Sequence, residues 1–450
     1  MYILILFEVV IIYYIQVEGK YSLLNKKYYK KLLTNLFNES VTSCHPSFLM
    51  HKYIPKKKPK GRTVIIGVGK GASEMAKHYE IAWEKKGYGA LEGLVLTRYG
   101  HSSKCNNIKV IEASHPIPDK NGIFATKEII KIIEKLTEED LLIFLLSGGA
   151  SSLLISPRKG LLLKDKQNIT NQLLNSGASI SEINAVRKHL SLVKGGQIIK
   201  YAYPAKVLTL AISDVPGDYF DVIGSGPTYP DETTRYDAIN VLKKYNIKIN
   251  DKISKVINND NCETPNKNNK IFRKSEYILV ARPQDALTAA AKVAKSSGFN
   301  TLILSDCIEG NADDVGIVHS SIVNQVLKFN QPNKKPLCIL SGGETTVTVN
   351  NKNGRGGRNS QFLLSLAVHL KSASNVYAIA CDTDGIDGSE NNAGAVIFPD
   401  TIKRAYNLGL SPNKFLSEND AYSFFQKLDD LIISGPTNTN VNDFRAILIT

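Results

Sequence analysis

The sequence predicts an α/β protein: a doubly wound parallel-sheet domain followed by a second α/β unit. Three observations carry this. The strand-like segments are continuous apolar runs rather than alternating ones, which suits a parallel sheet covered on both faces. They alternate with segments of helical spacing. Several of them end in glycine-rich turns, as in "RTVIIGVGKG" and "DLLIFLLSGGASS".

The elements follow in order. "RTVIIGVGKGASEMAKHYEIAWEKKG" reads as strand, loop and helix, and "LEGLVLTRYG" and "IKVIEAS" read as strands. "NGIFATKEIIKIIEKL" has helical spacing, with Ile129, Ile130, Ile132 and Ile133 on one face. "DLLIFLLSGGASSLL" and "AKVLTLAISDVPGD" are two further strands running into turns. The stretch 246–274 is rich in Asn and Lys and poor in large apolar residues, so a boundary or surface loop is expected there. "SEYILVARPQDALTAAAKVAKSSGFNTLILSD" opens a second unit as strand–helix–strand, and "PLCILSGGETTVTV" and "NVYAIACDTDGIDG" add strands. The expected division is 1–19, an apolar N-terminal extension; 20–250, the first domain; 251–274, a polar loop or linker; and 275–450, the second domain.

The bulk numbers exclude some classes. With 450 residues, 43% hydrophobic and 22% charged, the chain can bury two cores. Its net charge of +14 is concentrated early: from Lys20 to Arg62 there are eleven Lys/Arg against one acid, Glu39. No nucleic-acid motif accompanies this excess, so a solvated basic surface is the expectation, with no nucleic-acid partner. The six cysteines are scattered without CxxC or Cys/His clusters, which argues against zinc and against a disulfide scaffold. A cytoplasmic location is expected. The first 17 residues, "MYILILFEVVIIYYIQV", are short for a membrane span and match a signal peptide poorly. They leave a membrane-associated or mitochondrial location as alternatives.

Candidate chemistry gathers at the turns. Gly67-Val-Gly69-Lys70-Gly71-Ala72 follows a strand and opens a helix, where backbone amides can meet an anion. It also spells G-x-G-x-x-A, a dinucleotide fingerprint, with Arg98 rather than an acid after the next strand. Lys70 inside the turn can neutralise phosphate. Ser147-Gly148-Gly149-Ala-Ser151 offers glycines and hydroxyls at a strand's carboxyl end. Asp214 ends another strand and suits either Mg²⁺ or a helix cap. Ser341-Gly342-Gly343-Glu344 precedes Gly356-Gly357-Arg358, where a flexible backbone would deliver a guanidinium. Asp382, Asp384 and Asp387 resemble the start of a calcium loop, but position twelve is Ala393, which argues against an EF-hand and leaves Mg²⁺ binding or backbone capping of a turn. Arg187 and Lys194 lie seven apart, on one face of a helix, and suit either carboxylate capture or a solvated helix face.

Taken together, "GVGKGASEMA", "SHPIPDKNG", "LLSGGASSLL", "INAVRKHLSLVKGGQ", "SDVPGDYFDVIGSGPTYPDETT", "SGGETTVTV", "GRGGRNSQ", "CDTDGIDGSENNAGAVI" and "SGPTNTNVNDFRAILI" resemble the class II glycerate 2-kinase family. The resemblance runs from about Leu36 onward. It implies a Rossmann-like N-terminal domain and a smaller α/β C-terminal MOFRL domain. It also implies transfer of phosphate from ATP to the 2-hydroxyl of D-glycerate, with Mg²⁺, in an inter-domain cleft. On that basis Lys70, Arg358 and Asp214 are the expected catalytic residues. Gly67, Gly69, Gly71, Ser147, Gly148, Gly149, Ser151, Gly342, Gly343 and Glu344 would bind nucleotide. Arg187 and Lys194 would bind the acceptor, and Asp214, Asp384 and Asp387 the metal. Replacing Lys70 or Arg358 by Ala is expected to remove turnover and leave the fold. The alternative is an NADP-dependent hydroxypyruvate reductase, motivated by the G-x-G-x-x-A spelling and Arg98.

Overall fold

The computed structural model describes residues 25–450 apart from 350, 352, 371 and 372, so the N-terminal extension 1–19 lies outside the described residues. The chain divides into two compact units. One spans Cys44–Pro283 with Asn438–Val441; the other takes the chain up to Ser43, Gln284–Thr437 and Asn442–Thr450. Among the described residues no helix is long and apolar enough to cross a membrane.

The first unit is built on six parallel strands: β1 (Thr63–Val68), β2 (Glu92–Arg98), β3 (Lys109–Ala113), β4 (Leu141–Leu146), β5 (Lys206–Ile212) and β6 (Ser275–Ala281). Their order is β3-β2-β1-β4-β5-β6. The continuous apolar runs explain this placement, because both faces of each central strand are covered. Val64, Ile66, Val68, Leu142, Phe144 and Leu146 pack with Ile129 and Ile133 of the helix Lys120–Ile133. On the opposite face Ile65, Ile143 and Leu145 are equally buried. Each such side chain contributes roughly 1.5–3 kcal/mol on burial. Asp119 fixes the start of the helix Lys120–Ile133 by accepting from the Gly122 amide. The strand order runs outward in both directions from β1 and β4. The carboxyl ends of those two strands therefore mark the switch point, where ligands of open α/β sheets bind.

The second unit has a mixed sheet of order β11-β10-β9-β12-β8-β7. Its strands are β7 (Asn300–Asn311), β8 (Leu337–Thr346), β9 (Val376–Asp382), β10 (Gly394–Ile397), β11 (Leu431–Ile432) and β12 (Asp443–Ile449). β7 and β8 are parallel and the other pairs antiparallel. In β12, Phe444, Ala446 and Leu448 face one layer, and Ile447 and Ile449 the other.

Two expected boundaries are corrected. The stretch 251–274 is not a linker. Its helix Asp251–Ile257, capped by Asn250, buries Ile253 and Ile257 against Val186, Val241 and Leu242. Arg158 donates to the carbonyls of His189, Asn261 and Cys262 and so ties the segment down. Its Asn/Lys-rich composition belongs to an exposed outer surface over a narrow apolar stripe. Consequently β6 is the sixth strand of the first sheet and does not open the second unit. At the other end, a helix over residues 25–43 joins the second unit, with Leu32, Leu33, Leu36 and Phe37 in its core. Sequence order alone does not say which sheet a segment joins.

Arg158→Ala leaves several buried carbonyls without donors. It is expected to lower the melting temperature of the full chain, by roughly 3 kcal/mol of stability, in a thermal unfolding scan. An unchanged melting temperature would mean that 251–274 contributes nothing to the unit.

Candidate active site

The two glycine turns of the first unit meet at the switch point, and they are used differently. In the first, Gly69 N–H donates to the Leu96 carbonyl, Lys70 N–H to the Gly148 carbonyl and Ala72 N–H to the Gly69 carbonyl. Gly71 N–H donates to Ser147 Oγ. Every one of these amides is engaged inside the protein. Gly67 lies within β1, where a Cβ would come 2.8 Å from Val95. Gly69, at φ 128°, leaves only 2.3 Å between a notional Cβ and Ser147 Oγ. The Asn438 carbonyl stands 3.4 Å from a Cβ at Gly71. Gly67, Gly69 and Gly71 therefore close the turn and pack it. They do not offer the row of amides that a nucleotide or dinucleotide phosphate needs, contrary to expectation.

The second turn, Ser147-Gly148-Gly149, is the more open one. The Gly148 carbonyl and the Ser147 hydroxyl serve the first turn, while the Gly149 carbonyl accepts from the Ser152 and Leu153 amides. Among the described residues the Gly148 and Gly149 amides donate to no protein group. A Cβ on Gly149 would lie 2.9 Å from the His115 ring and 3.3 Å from Lys70 Cγ. A Cβ on Gly148 would lie 1.9 Å from Asp214 Oδ2, and Asn440 Nδ2 donates to that oxygen at 3.5 Å. Lys70, His115, Ser147–Gly149 and Asp214 thus converge beyond the ends of β1, β3, β4 and β5. Burial, helped by the nearby cations Lys70, Arg98 and His101, pulls His115 down to about 4, so its imidazole is neutral at physiological pH. The sequence reading gave His115 no role. The only signal was its place beside Pro116 in "SHPIPDKNG".

A cavity of about 430 Å³ adjoins this corner. Ser151 and Ser152, Pro116, Lys166, Arg187 and Lys194 are among its walls. Arg187 and Lys194 are brought together, but not on one helix face. The helix Ile180–His189 ends before Lys194, which sits ahead of the Gly195-Gly196 turn. Lys194 Nζ donates to the Ser151 and Leu154 carbonyls and so braces the second turn. Lys166 was not anticipated. It is 6% exposed and its Nζ has no hydrogen-bond partner. Burial, with Arg187 and Arg158 adding repulsion, lowers it to about 7. The helix Leu163–Asn175 carries it on the inward side with Ile169 and Leu173, a pattern that reads from sequence as an ordinary surface lysine.

In the second unit Arg358 is not delivered by a loose turn. It is the first residue of the helix Arg358–Leu370. Its guanidinium donates to Asp443 at 2.6 Å, Glu344 at 3.0 Å and Asp382 at 2.9 Å, and its side chain is 23% exposed. Buried Arg445 also binds Asp443. Burial opposes the Asp443 charge, yet Arg358 and Arg445 hold its carboxyl below the usual range. Burial and neighbouring Asp384 push Asp382 well above it. Asp443 is therefore the main counter-charge of Arg358. Ser341-Gly342-Gly343-Glu344 does not end a strand. β8 continues through it to Thr346, paired to Asp443 and Phe444 on one side. On the other side a Cβ at Gly343 would meet Ile308 backbone at 2.2 Å. Gly342 and Gly343 are sheet residues rather than a phosphate turn. Arg358, Gly356, Gly357, Thr345 and Asp382 line a separate cavity of about 410 Å³.

Among the described residues no group of three or more His, Cys, Asp or Glu is arranged to hold a metal. Asp387 does not fit as a ligand. Its two oxygens accept from the Asn359 and Ser360 amides and from Ser360 Oγ, capping the Arg358–Leu370 helix from a buried position. Asp384 Oδ1 accepts from the Ile386 amide. Glu344 is the most exposed of the carboxylates around Arg358, at 44%. Carboxylates of this kind suit Mg²⁺ that arrives with phosphate and water ligands, rather than a resident ion in a protein cage.

A parallel doubly wound sheet with a lysine, a glycine turn with open amides and a carboxylate at its switch point defines an α/β enzyme that handles anionic substrates. Residues 32–258 match the family described as a domain of unknown function, DUF4147, and residues 337–443 match the MOFRL family. D-glycerate 2-kinase of Thermotoga maritima is 40% identical, over 92% of this chain and 97% of its own. A crystal structure of glycerate kinase from Thermotoga maritima superposes with a TM-score of 0.86 at 38% identity, covering 94% of this chain and all of the other. A putative hydroxypyruvate reductase of Agrobacterium vitis is 45% identical, over 93% of this chain and 94% of its own. The chain belongs to the class II glycerate kinase family.

Two outcomes follow from the charges. Arg358→Ala strands carboxylates that are partly or wholly buried, so it should destabilise the chain by roughly 3–5 kcal/mol as well as impair activity. A melting temperature equal to wild type would contradict the network. Lys166 has a lower pKa in the folded chain, about 7, than its ordinary 10.5. The unfolded chain thus binds more protons between those values, and stability rises with pH across that window. Below pH 7 the full cost of burying the charge remains. Lys166→Met should therefore raise the melting temperature at pH 6, by roughly 4 °C or more, and raise it less at pH 9. An equal gain at both pH values would place the ammonium in water.

Proposed function

We propose that this chain is an ATP-dependent glycerate 2-kinase, transferring the γ-phosphoryl group of ATP to the 2-hydroxyl of D-glycerate. The observation that carries the reading is the unequal use of the two glycine turns. The first, which would serve a dinucleotide, has its amides engaged within the protein. The second keeps amides open beside Lys70 and Asp214. The same contrast disfavours the NADP-linked reductase, whose motivation was the spelling of the first turn. Relatives named as kinases support the reading independently.

In this reading the Gly148 and Gly149 amides and Lys70 receive the transferring phosphoryl group. Phosphoryl transfer asks mainly for positioning and charge neutralisation. The 2-hydroxyl oxygen bonds to the γ-phosphorus as the bond to the β-phosphate oxygen breaks, leaving ADP. Asp214, held against Gly148, accepts the hydroxyl proton. Neutral His115 stands beside Lys70 without competing for the phosphate as a second cation, and it can accept or donate a hydrogen bond. In the second unit Arg358, fixed by Asp443, is a rigid guanidinium suited to an anionic group. Glu344 and Asp384 would hold Mg²⁺, which when bound neutralises phosphate charge.

Coupled ADP release with D-glycerate and ATP, with the product position fixed by phosphorus NMR, tests the activity. The expected product is 2-phosphoglycerate. Consumption of NADPH with hydroxypyruvate and no ADP formation would favour the reductase. Lys70→Ala should lower kcat roughly 100-fold or more at an unchanged melting temperature. Gly148→Ala gives a sharper test of Asp214. The added methyl meets the movable end of that carboxylate, so the fold should tolerate it while kcat falls about tenfold or more. Wild-type kcat in Gly148→Ala would remove Asp214 from the reaction.

A further inference from the structure

Lys166 presents a problem that the catalytic corner does not explain. A fully buried ammonium without a partner costs stability, and such a group persists where a ligand answers it. It lines the same cavity as Arg187, for which the structure shows no carboxylate partner among the described residues. The cavity reaches the second glycine turn at Ser151 and Ser152 and the His115 side at Pro116. Its walls also include Ile117, Leu163 and Leu174, so cationic and apolar side chains share the lining.

We propose that this cavity is the acceptor site, in which Lys166 and Arg187 together bind the carboxylate of the 2-hydroxy acid and place its hydroxyl toward the Lys70 corner. The inference rests on the kinase reading and adds to it Lys166, the carboxylate subsite and the choice of acceptor over nucleotide for this cavity. The charge available decides between the two ligands. Lys194 is already committed to two backbone carbonyls. Burial and its cationic neighbours lower it well below its ordinary value. That leaves one permanent guanidinium and one ammonium that is readily discharged. Such a pair matches the single charge of a carboxylate and falls short of the three to four charges of a triphosphate. Arginine supplies the planar fork that fits a carboxylate, and the lysine a point charge beside it. Carboxylate recognition by this pair separates D-glycerate from neutral polyols such as glycerol, because an acceptor without a carboxylate leaves Lys166 buried and unanswered.

The test uses the full chain as wild type, Lys166→Met and Arg187→Gln. Arg187 is less buried than Lys166, so its variant should fold even if the other does not. Steady-state kinetics are measured with D-glycerate and with glycerol, varying each and ATP in turn. Calorimetric titration of D-glycerate into each protein without nucleotide is measured alongside. In both variants the KM for D-glycerate should rise about tenfold or more. The KM for ATP should stay within about twofold, and the preference for D-glycerate over glycerol should fall about tenfold or more. Glycerate binding in the titration should be lost. Lys166→Met should melt at a higher temperature than wild type while binding glycerate worse, a combination that loss of mere packing would not produce. A raised KM for ATP with an unchanged KM for D-glycerate would make the cavity a nucleotide site and overturn the proposal. Unchanged constants for both substrates would overturn it too. If wild type makes no ADP from D-glycerate, the kinase reading fails on its own. The titration still judges the cavity, since glycerate binding that disappears in the variants supports the carboxylate site and its persistence refutes it.

Discussion

The contact on which the site depends is the lacing of two strand-end turns. Lys70 N–H reaches the Gly148 carbonyl at 2.8 Å, and Gly71 N–H reaches Ser147 Oγ at 3.0 Å. This pairing is possible because β1 and β4 are neighbours in the sheet and run parallel, so their carboxyl ends emerge side by side. It requires glycine at position 69, where any side chain would overlap Ser147. The consequence is a division of labour. One turn supplies donors to the other, and the second leaves its own Gly148 and Gly149 amides clear of protein acceptors among the described residues. The lysine between them is thereby set beside the open turn.

Electrostatics in the two units follow opposite designs. The first unit gathers cations: Lys70 at the corner, and Lys166 and Arg187 in the adjoining cavity, where the described residues give neither of these two a carboxylate partner. Burial keeps Lys166 on the edge of discharge and His115 neutral, so repulsion among them is limited. The second unit instead surrounds Arg358 with Asp443, Asp382 and Glu344, and Arg445 adds a second guanidinium to Asp443. Low dielectric strengthens such a network and also makes it intolerant of losing one member. A guanidinium held this way loses little freedom when a phosphate or carboxylate meets it.

Much of the fold was legible because the physics that sets it is local. Continuous apolar runs gave the parallel strands, and glycine-rich ends gave their turns. Family resemblance and the fold agree from Leu36 on. What stayed hidden needed three dimensions. The spelling of Gly67–Ala72 suggested a phosphate loop, but hydrogen bonds to residues far along the chain, Leu96 and Ser147–Gly148, decide that its amides are engaged. The spelling Ser341–Glu344 copied Ser147–Gly149, yet one runs on as strand β8 and the other turns, because only the first has β7 and β12 on both sides. Asp387 suited Mg²⁺ or a backbone cap equally in the sequence, and its hydrogen bonds to Asn359 and Ser360 make it a helix cap. Lys166 belongs to no motif in the sequence, and only the packing of its helix shows that it is buried. The polar stretch 251–274 looked like a linker because two buried isoleucines are too few to register in composition.

The most direct measurement is a crystal structure of the full chain with a non-hydrolysable ATP analogue, read for where the terminal phosphate sits. The account predicts it against the Gly148 and Gly149 amides, within reach of the Lys70 ammonium. Phosphate bound instead on the amides of Gly69–Ala72, with the second turn empty, would contradict it.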